Sequence, residues 1–433
     1  FFALVLSPFG AANLGFPAVI RRILRIVIQI LRSFPALILA LTATFLFGLG
    51  TFAGTFAITL YTFAIMTKLT YEDASAADVK AYQALRAMGV SKYVAYIHGI
   101  LPEIIPGFLT NALYLLETNV RHSSILGYVG AGGIGLLLNE KISWLEYDKV
   151  GTILLMLFLT VCVIEYFSRY LAALIRKERT IKKEQARLLL LFLAALFLIC
   201  TFTLSLPDFS RTSPQTLRNM FAGFLQPDWS FFFSAEKDGL GYLLLETVCI
   251  AFIGTVIGAI VSAPLAFLNT KRFVPAPVSF LFNLVIMVIR SVPFLVYGLI
   301  FIRVSGPGAF TGVLTLAVCS IGLLTKRFTE ALDALDPRPY HALLAMGVRP
   351  LPAICHSVLP QLKPVFTSII LYRFDVNIRE ASVLGLVGAG GIGAPLIFSM
   401  NQYAWEKAGA IMLGLILLVW FIDMVSEKIG AGN

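Results

Sequence analysis

Charged side chains are scarce in this sequence. Of 433 residues only 13% are Asp, Glu, Lys or Arg, while 58% are hydrophobic, and the mean hydropathy is +0.86. No ordinary soluble domain has that balance, so the chain is an integral membrane protein. Histidine occurs only four times. The cysteines (Cys162, Cys200, Cys249, Cys319 and Cys355) stand singly, mostly in apolar stretches, so neither a disulfide framework nor a zinc site is expected. A G-x-x-x-x-G-K-[ST] loop is missing, as are a G-x-S-x-G elbow and a kinase motif set. Catalysis by this chain alone, with a nucleotide, metal or cofactor of its own, is therefore not expected.

What is present are long apolar runs broken by Gly, Pro and Ser, without the dyad alternation of outer-membrane strands. They read as membrane-spanning helices, and the fold class is all-α. The chain also repeats itself. GVSKYVAYIHGILPEIIPGFL from Gly89 matches GVRPLPAICHSVLPQLKPVFT from Gly347, an offset of 258. The same offset carries Arg32 onto Arg290, Pro35 onto Pro293, Gly54 onto Gly312, Lys68 onto Lys326, Glu72 onto Glu330, His98 onto His356 and Arg121 onto Arg379. It also carries the hexapeptide GAGGIG at 130–135 onto an identical one at 388–393. The expected organisation is a first repeat over 1–175, a basic linker over 176–187 and a second repeat over 188–433. Pro8 and Asn13 match Pro264 and Asn269 in mid-pattern, which predicts a first repeat that is incomplete at its N-terminal side.

The formal charge of +10 falls largely in short loops. The most basic stretch, RKERTIKKEQAR at 176–187, is placed in the cytoplasm by the positive-inside rule. Spans are expected in the second repeat near 188–206, 242–266, 290–303, 309–328, 361–385 and 405–427. About six per repeat is an even number, so the repeats run parallel and imply two-fold symmetry about the membrane normal. The 69–102 and 329–360 segments then fall inside, and the GAGGIG segments and the 207–241 loop outside. Trp229 and Phe231 to Phe233 in that loop suit an aromatic belt, or a contact for an external binding protein. The segment 17–31, with Arg21, Arg22 and Arg25 among Ile and Val, reads as an inner-surface amphipathic helix. Nucleic-acid binding is not expected.

The inner segments are long polar insertions with one pattern, QALRAMGV-x8-GILP and HALLAMGV-x8-SVLP. A Gly permits a turn, and a Pro thirteen residues later suits the start of the next helix; the bland reading is a helix-turn connector. The pattern resembles the coupling-helix signature of ABC importer permeases. Ala84, Gly89, Leu101 and Pro102 match it, as do Ala342, Gly347, Leu359 and Pro360, whereas Gln83 and His341 stand where that family has Glu. The stretch LYRFDVNIREASVLGLVGAGGIG at 371–393, its counterpart LYLLETNVRHSSILGYVGAGGIG, and the RSFP and RSVP segments at 32–35 and 290–293 narrow the likeness. They resemble the permeases of phosphonate-type ABC importers, with methionine-import permeases as more distant kin.

That resemblance implies a type I importer permease fold in the bacterial cytoplasmic membrane. It implies a pore for phosphonates, phosphite or similar anions, two copies of an ABC ATPase that bind ATP and magnesium themselves, and an extracytoplasmic substrate-binding protein. Methionine or another amino acid is the alternative cargo, and a secondary transporter the alternative class.

Ionisable residues also lie within the spans. Glu117 and Arg121 in one repeat, and Asp375 and Arg379 in the other, are four apart, so acid and base share a helix face. Charges at that depth usually face a bundle interior or a water-filled path, although a self-neutralising structural pair is equally consistent. Arg373 and Glu380 occur in the second repeat only, opposite Leu115 and His122, so the two linings differ. The glycines of GAGGIG (Gly130, Gly132, Gly133, Gly388, Gly390 and Gly391) suit a gate, or a close-packed turn at a helix end.

Overall fold

The computed structural model describes residues 2–175, 183–204, 214–234, 236 and 239–431, and every regular element among them is helical. The linker expected at 176–187 and the loop at 207–241 therefore lie partly outside the described residues. Two compact units, Phe1–Leu217 and Arg218–Asn433, divide the chain. By contacts, the helix that opens the sequence-defined second repeat falls in unit 1.

Unit 1 contains α1 (Phe2–Gly10), α2 (Ala18–Ser33), α3 (Ala36–Phe47), α4 (Thr51–Ala76), α5 (Lys80–Ala87), α6 (Lys92–Gly99), α7 (Leu101–Leu126), α8 (Ile134–Ser143), α9 (Tyr147–Ile175) and α10 (Lys183–Phe202). After α11 (Pro214–Leu225), unit 2 continues with α12 (Trp229–Phe232), α13 (Leu240–Asn269), α14 (Ala276–Ser291), α15 (Phe294–Ser305) and α16 (Ala309–Ala334). It ends with α17 (Arg338–Ala345), α18 (Pro350–Ala353), α19 (Leu359–Leu384), α20 (Gly393–Asn401) and α21 (Trp405–Ala431). The 258-residue offset maps α2–α5 onto α14–α17, and α7 onto α19, residue for residue. Each unit is built round a long central helix. In unit 1, α4 packs on α1, α3 and α7; in unit 2, α16 packs on α13, α15 and α19. Among the described residues six helices are long and apolar enough to cross a membrane, and three further helix pairs are so only if each bent pair counts as one span.

One of those bent pairs corrects an expectation. The span placed at 290–303 is not a single helix, because α14 ends at Ser291 and α15 starts at Phe294, bent by 85°. Pro293 lacks an amide hydrogen and its ring collides with the preceding turn. Pro35 breaks α2 from α3 in the same way, at 89°.

Candidate functional site

The segments with the repeated polar pattern form short exposed helices, α5 and α17, and both are built alike. Asp78 Oδ1 accepts the Lys80 amide at 3.0 Å and Asp336 Oδ1 the Arg338 amide at 3.0 Å, which starts each helix. The amide and ammonium of Lys80 hold the Asp78 carboxyl below its ordinary range. Each helix ends in a left-handed glycine, Gly89 at φ +83° and Gly347 at φ +81°. The Val90 amide donates to Leu85 O at 3.2 Å and the Val348 amide to Leu343 O at 3.1 Å, closing a Schellman turn. Nothing lies within 4 Å of a Cβ built on either glycine. Both are therefore there for backbone conformation, not for close approach.

Gln83, Ala84, His341 and Ala342 are exposed on these helices, as are His98 and His356 farther along. Pro102 and Pro360 sit in the first turn of the long helices α7 and α19, beside Leu101 and Leu359. Sequence reasoning missed the tips. Met88 and Met346, just before the glycines, are 70% and 71% exposed, and two solvated thioether side chains at matching positions are a signal the offset could have supplied.

The two helices are anchored differently. Tyr82 is buried, its hydroxyl donating to Leu14 O at 2.7 Å, and burial pushes that hydroxyl's pKa up. A Cβ on Gly99 would lie 2.9 Å from the Tyr82 backbone, so α5 rests directly on α6. In the second repeat Ser357 replaces Gly99, its hydroxyl donating to Ala353 O at 2.6 Å within a π-helical turn, Ile354–Val358. There Tyr340 packs edge-on to Phe273, and α17 buries none of its residues.

The intramembrane pairs form as the spacing predicts. Arg121 Nη2 donates to Glu117 Oε1 at 2.6 Å, and Arg379 pairs with Asp375. Arg373 also donates to Glu380 Oε2 at 2.8 Å and to Ser320 Oγ at 3.1 Å. These side chains are largely buried, so each cation is neutralised within its own helix. At the position that matches Glu380 by the 258-residue offset, His122 packs edge-on to Tyr61. The sequence reading also missed an asparagine between the charges. Asn377 donates to Thr255 Oγ1 at 2.7 Å and Ser320 Oγ at 2.9 Å, and its counterpart Asn119 to Thr62 Oγ1 at 2.9 Å. The carbonyl oxygen of each is buried without a hydrogen-bond partner, at the same place in both repeats. Glu165, buried on α9 and paired with Arg169, was missed too, although the offset places Asp423 opposite it.

GAGGIG forms a tight joint between α7 and α8, and again between α19 and α20. Gly130, Gly132, Gly133, Gly388, Gly390 and Gly391 all have positive φ, between +76° and +87°. The amide of Gly50 donates to Gly130 O at 3.0 Å and that of Gly308 to Gly388 O at 2.9 Å, which ties the joint to the start of α4 or α16. A Cβ on Gly54 or Gly312 would lie 2.8 or 2.5 Å from the facing carbonyl oxygen of Ala131 or Ala389. The amides of Gly130, Ala131, Gly388 and Ala389 are engaged inside the turn, and that of Ile392 bonds Thr247 Oγ1 at 3.0 Å.

This architecture has a counterpart among known proteins. The family described as the binding-protein-dependent transport system inner membrane component matches residues 4–180 and again 254–429. The chain belongs to this family. It is a multi-pass permease subunit of an ABC importer in the bacterial inner membrane, a pore component that works with a separate ATPase and a binding protein. A phosphate-import permease of Mycolicibacterium smegmatis is 28% identical over 418 residues, covering 95% of this chain and 77% of that relative. A phosphite transport permease of Stutzerimonas stutzeri is 36% identical over 184 residues, 42% of this chain and 67% of its own. An inward-facing methionine ABC transporter structure shares 18% identity, covers 44% of this chain and 96% of that one, and has a TM-score of 0.41.

Proposed function

We propose that this permease imports small phosphorus oxyanions, phosphite, phosphate or phosphonates, with both halves of the pore supplied by one polypeptide. The observation that carries the reading is the repeated pair of exposed helices, α5 and α17, on a chain whose similar proteins are named for phosphate and phosphite transport. Two ATPase subunits dock on the segments 69–102 and 329–360. Gln83, Ala84, Gly89, His341, Ala342 and Gly347 line the contact, and Met88 and Met346 enter apolar grooves on the partners. ATP-driven closure of the ATPase pair moves α5 and α17, and with them α7 and α19, which begin at Leu101 and Leu359. The charges of Glu117, Arg121, Arg373, Asp375, Arg379 and Glu380 border the path. Because they are internally paired, no fixed surplus of cation traps an anion there, and ligand choice rests on the binding protein. The GAGGIG joints act as pivots at the ends of those helices. Cargo of the amino-acid type is the second reading, favoured by a probable D-methionine permease of Vibrio cholerae at 24% identity over 46% of this chain.

The test is uptake of labelled phosphite and phosphonate by vesicles holding this chain with its co-encoded ATPase and binding protein. ATP-dependent uptake is expected, and it disappears when Gly89→Arg and Gly347→Arg are combined. Open space surrounds both glycines, so the fold is retained at a backbone strain of about 1–3 kcal/mol each. Uptake without ATP, or uptake surviving the double change, would overturn the coupling assignment. Transport of methionine alone would overturn the cargo.

A further inference from the structure

Helix α2 has two faces of opposite character. Val19, Ile20, Ile23, Ile26, Val27 and Ile30 are exposed apolar side chains on one arc, and Arg21, Arg22 and Arg25 lie on the other. Arg25 is engaged, its Nε donating to Gly10 O at 3.0 Å and its guanidinium 5.2 Å from the Tyr71 ring centre. Arg21 and Arg22 have no carboxylate partner among the described residues, and the first acidic residue of the sequence is Glu72, which pairs with Lys68. The entry to α2 lies beside the coupling segment. Asn13 donates to Ala74 O at 3.1 Å, the Tyr82 hydroxyl bonds Leu14 O, and Lys92 reaches Gly15 O. The first turns of α2 therefore emerge at the membrane face that carries α5.

The second repeat keeps the apolar arc and has its cations before the helix, not on its first two turns. At the 258-residue offset Ile20 and Ile23 become Val278 and Leu281, whereas Arg21, Arg22 and Arg25 become Ser279, Phe280 and Asn283. Ser279 turns inward and donates to Asn269 O at 2.6 Å. In the second repeat the cations Lys271 and Arg272 precede α14, and Arg272 is spent on Leu335 O at 2.9 Å and on Asp333 O, so α2 alone carries arginines in its first two turns, along the flank of an exposed apolar arc.

We infer that the first two turns of α2 bind the headgroup of an anionic phospholipid, and that α14 has no such site. Arg21 and Arg22 present guanidinium forks that match phosphate geometry. The adjoining apolar arc lies against acyl chains, which is why the occupant is a lipid and not a free phosphate. Each arginine near an anionic leaflet contributes roughly a five-fold preference.

The purified full-length chain, equilibrated with equimolar phosphatidylglycerol and phosphatidylcholine, is analysed by native mass spectrometry for retained lipid. Phosphatidylglycerol is expected to be retained over phosphatidylcholine, with the preference reduced at least about five-fold by Arg21→Gln with Arg22→Gln. Thermal unfolding in phosphatidylcholine serves as the folding control. Phe280→Arg with Asn283→Arg moves cations to α14 and is expected to add retained phosphatidylglycerol, so the inference stays testable if α2 tolerates no change. Equal lipid ratios in the wild type and the glutamine variant would overturn it. So would displacement of phosphatidylglycerol by excess inorganic phosphate, or no gain from the cations placed on α14. None of these readouts involves ATP or cargo, so failure here is separable from failure of the transport reading.

Discussion

At the scale of single residues, glycine and buried charge carry the sharpest consequences. A Cβ on Gly135 would stand 2.0 Å from the Ser124 carbonyl oxygen, and one on Gly127 2.1 Å from the Leu136 nitrogen, so the α7–α8 joint closes only round hydrogen atoms. Gly135→Ala is expected to destabilise the protein by about 3 kcal/mol, seen as a lower midpoint of thermal unfolding in detergent. Gly151→Ala is the contrast. Nothing lies within 4 Å of its Cβ, so the midpoint holds or rises, within about 1 kcal/mol. Arg373 is a different case, because Glu380 relies on it inside the unit. Arg373→Met leaves the half-buried Glu380 carboxylate uncompensated and is expected to cost about 3 kcal/mol. Adding Glu380→Gln restores most of that loss; a double variant no more stable than the single one would show the pair is not the source.

At the scale of elements, matched sequences produce unequal mountings. The contact of Gly99 with the Tyr82 backbone, 2.9 Å from a built Cβ, seats α5 on α6, whereas α17 packs on the Ile354–Val358 turn, where Ser357 stands in place of the glycine. Gly99→Ala is expected to displace α5 and lower ATP-dependent uptake several-fold at unchanged expression. Ser357→Ala loses one internal hydrogen bond, about 1 kcal/mol, and leaves uptake near wild type. The reverse pattern would show that α17 carries the stroke. Helix periodicity could not separate the two mountings, since the distinction lies in which side chain fills one contact and not in the pattern of apolar positions.

At the scale of the whole molecule, the family domain occurs twice in one chain. If ATPase subunits dock on the segments 69–102 and 329–360 as proposed, the expected complex has one permease chain with two ATPase subunits, measurable by native mass spectrometry of the complex. Two permease chains per complex would show that each chain supplies only part of the docking surface. Changing Gly89 alone to Arg is expected to impair uptake nearly as much as the double change, because an ATPase pair closes only when both of its members are held.

Much of this was legible before any coordinates. Composition settles the membrane and the helix, because backbone polar groups in hydrocarbon must bond within their own segment. The 258-residue offset settles the duplication, and i, i+4 spacing the Glu117–Arg121 and Asp375–Arg379 pairs, since helical geometry alone brings those atoms together. Other features depend on neighbours that sequence distance conceals. The break at Pro293 shows that a hydropathic run is not one straight helix, as one missing amide outweighs a row of apolar side chains. Asn377 meets Thr255 and Ser320 across 122 and 57 residues, and Tyr82 meets Leu14 across 68. Local pattern dictates what one helix can do for itself, whereas helix packing chose the polar partners, the seat of α5 and the close approach at Gly54, because those are contacts between surfaces.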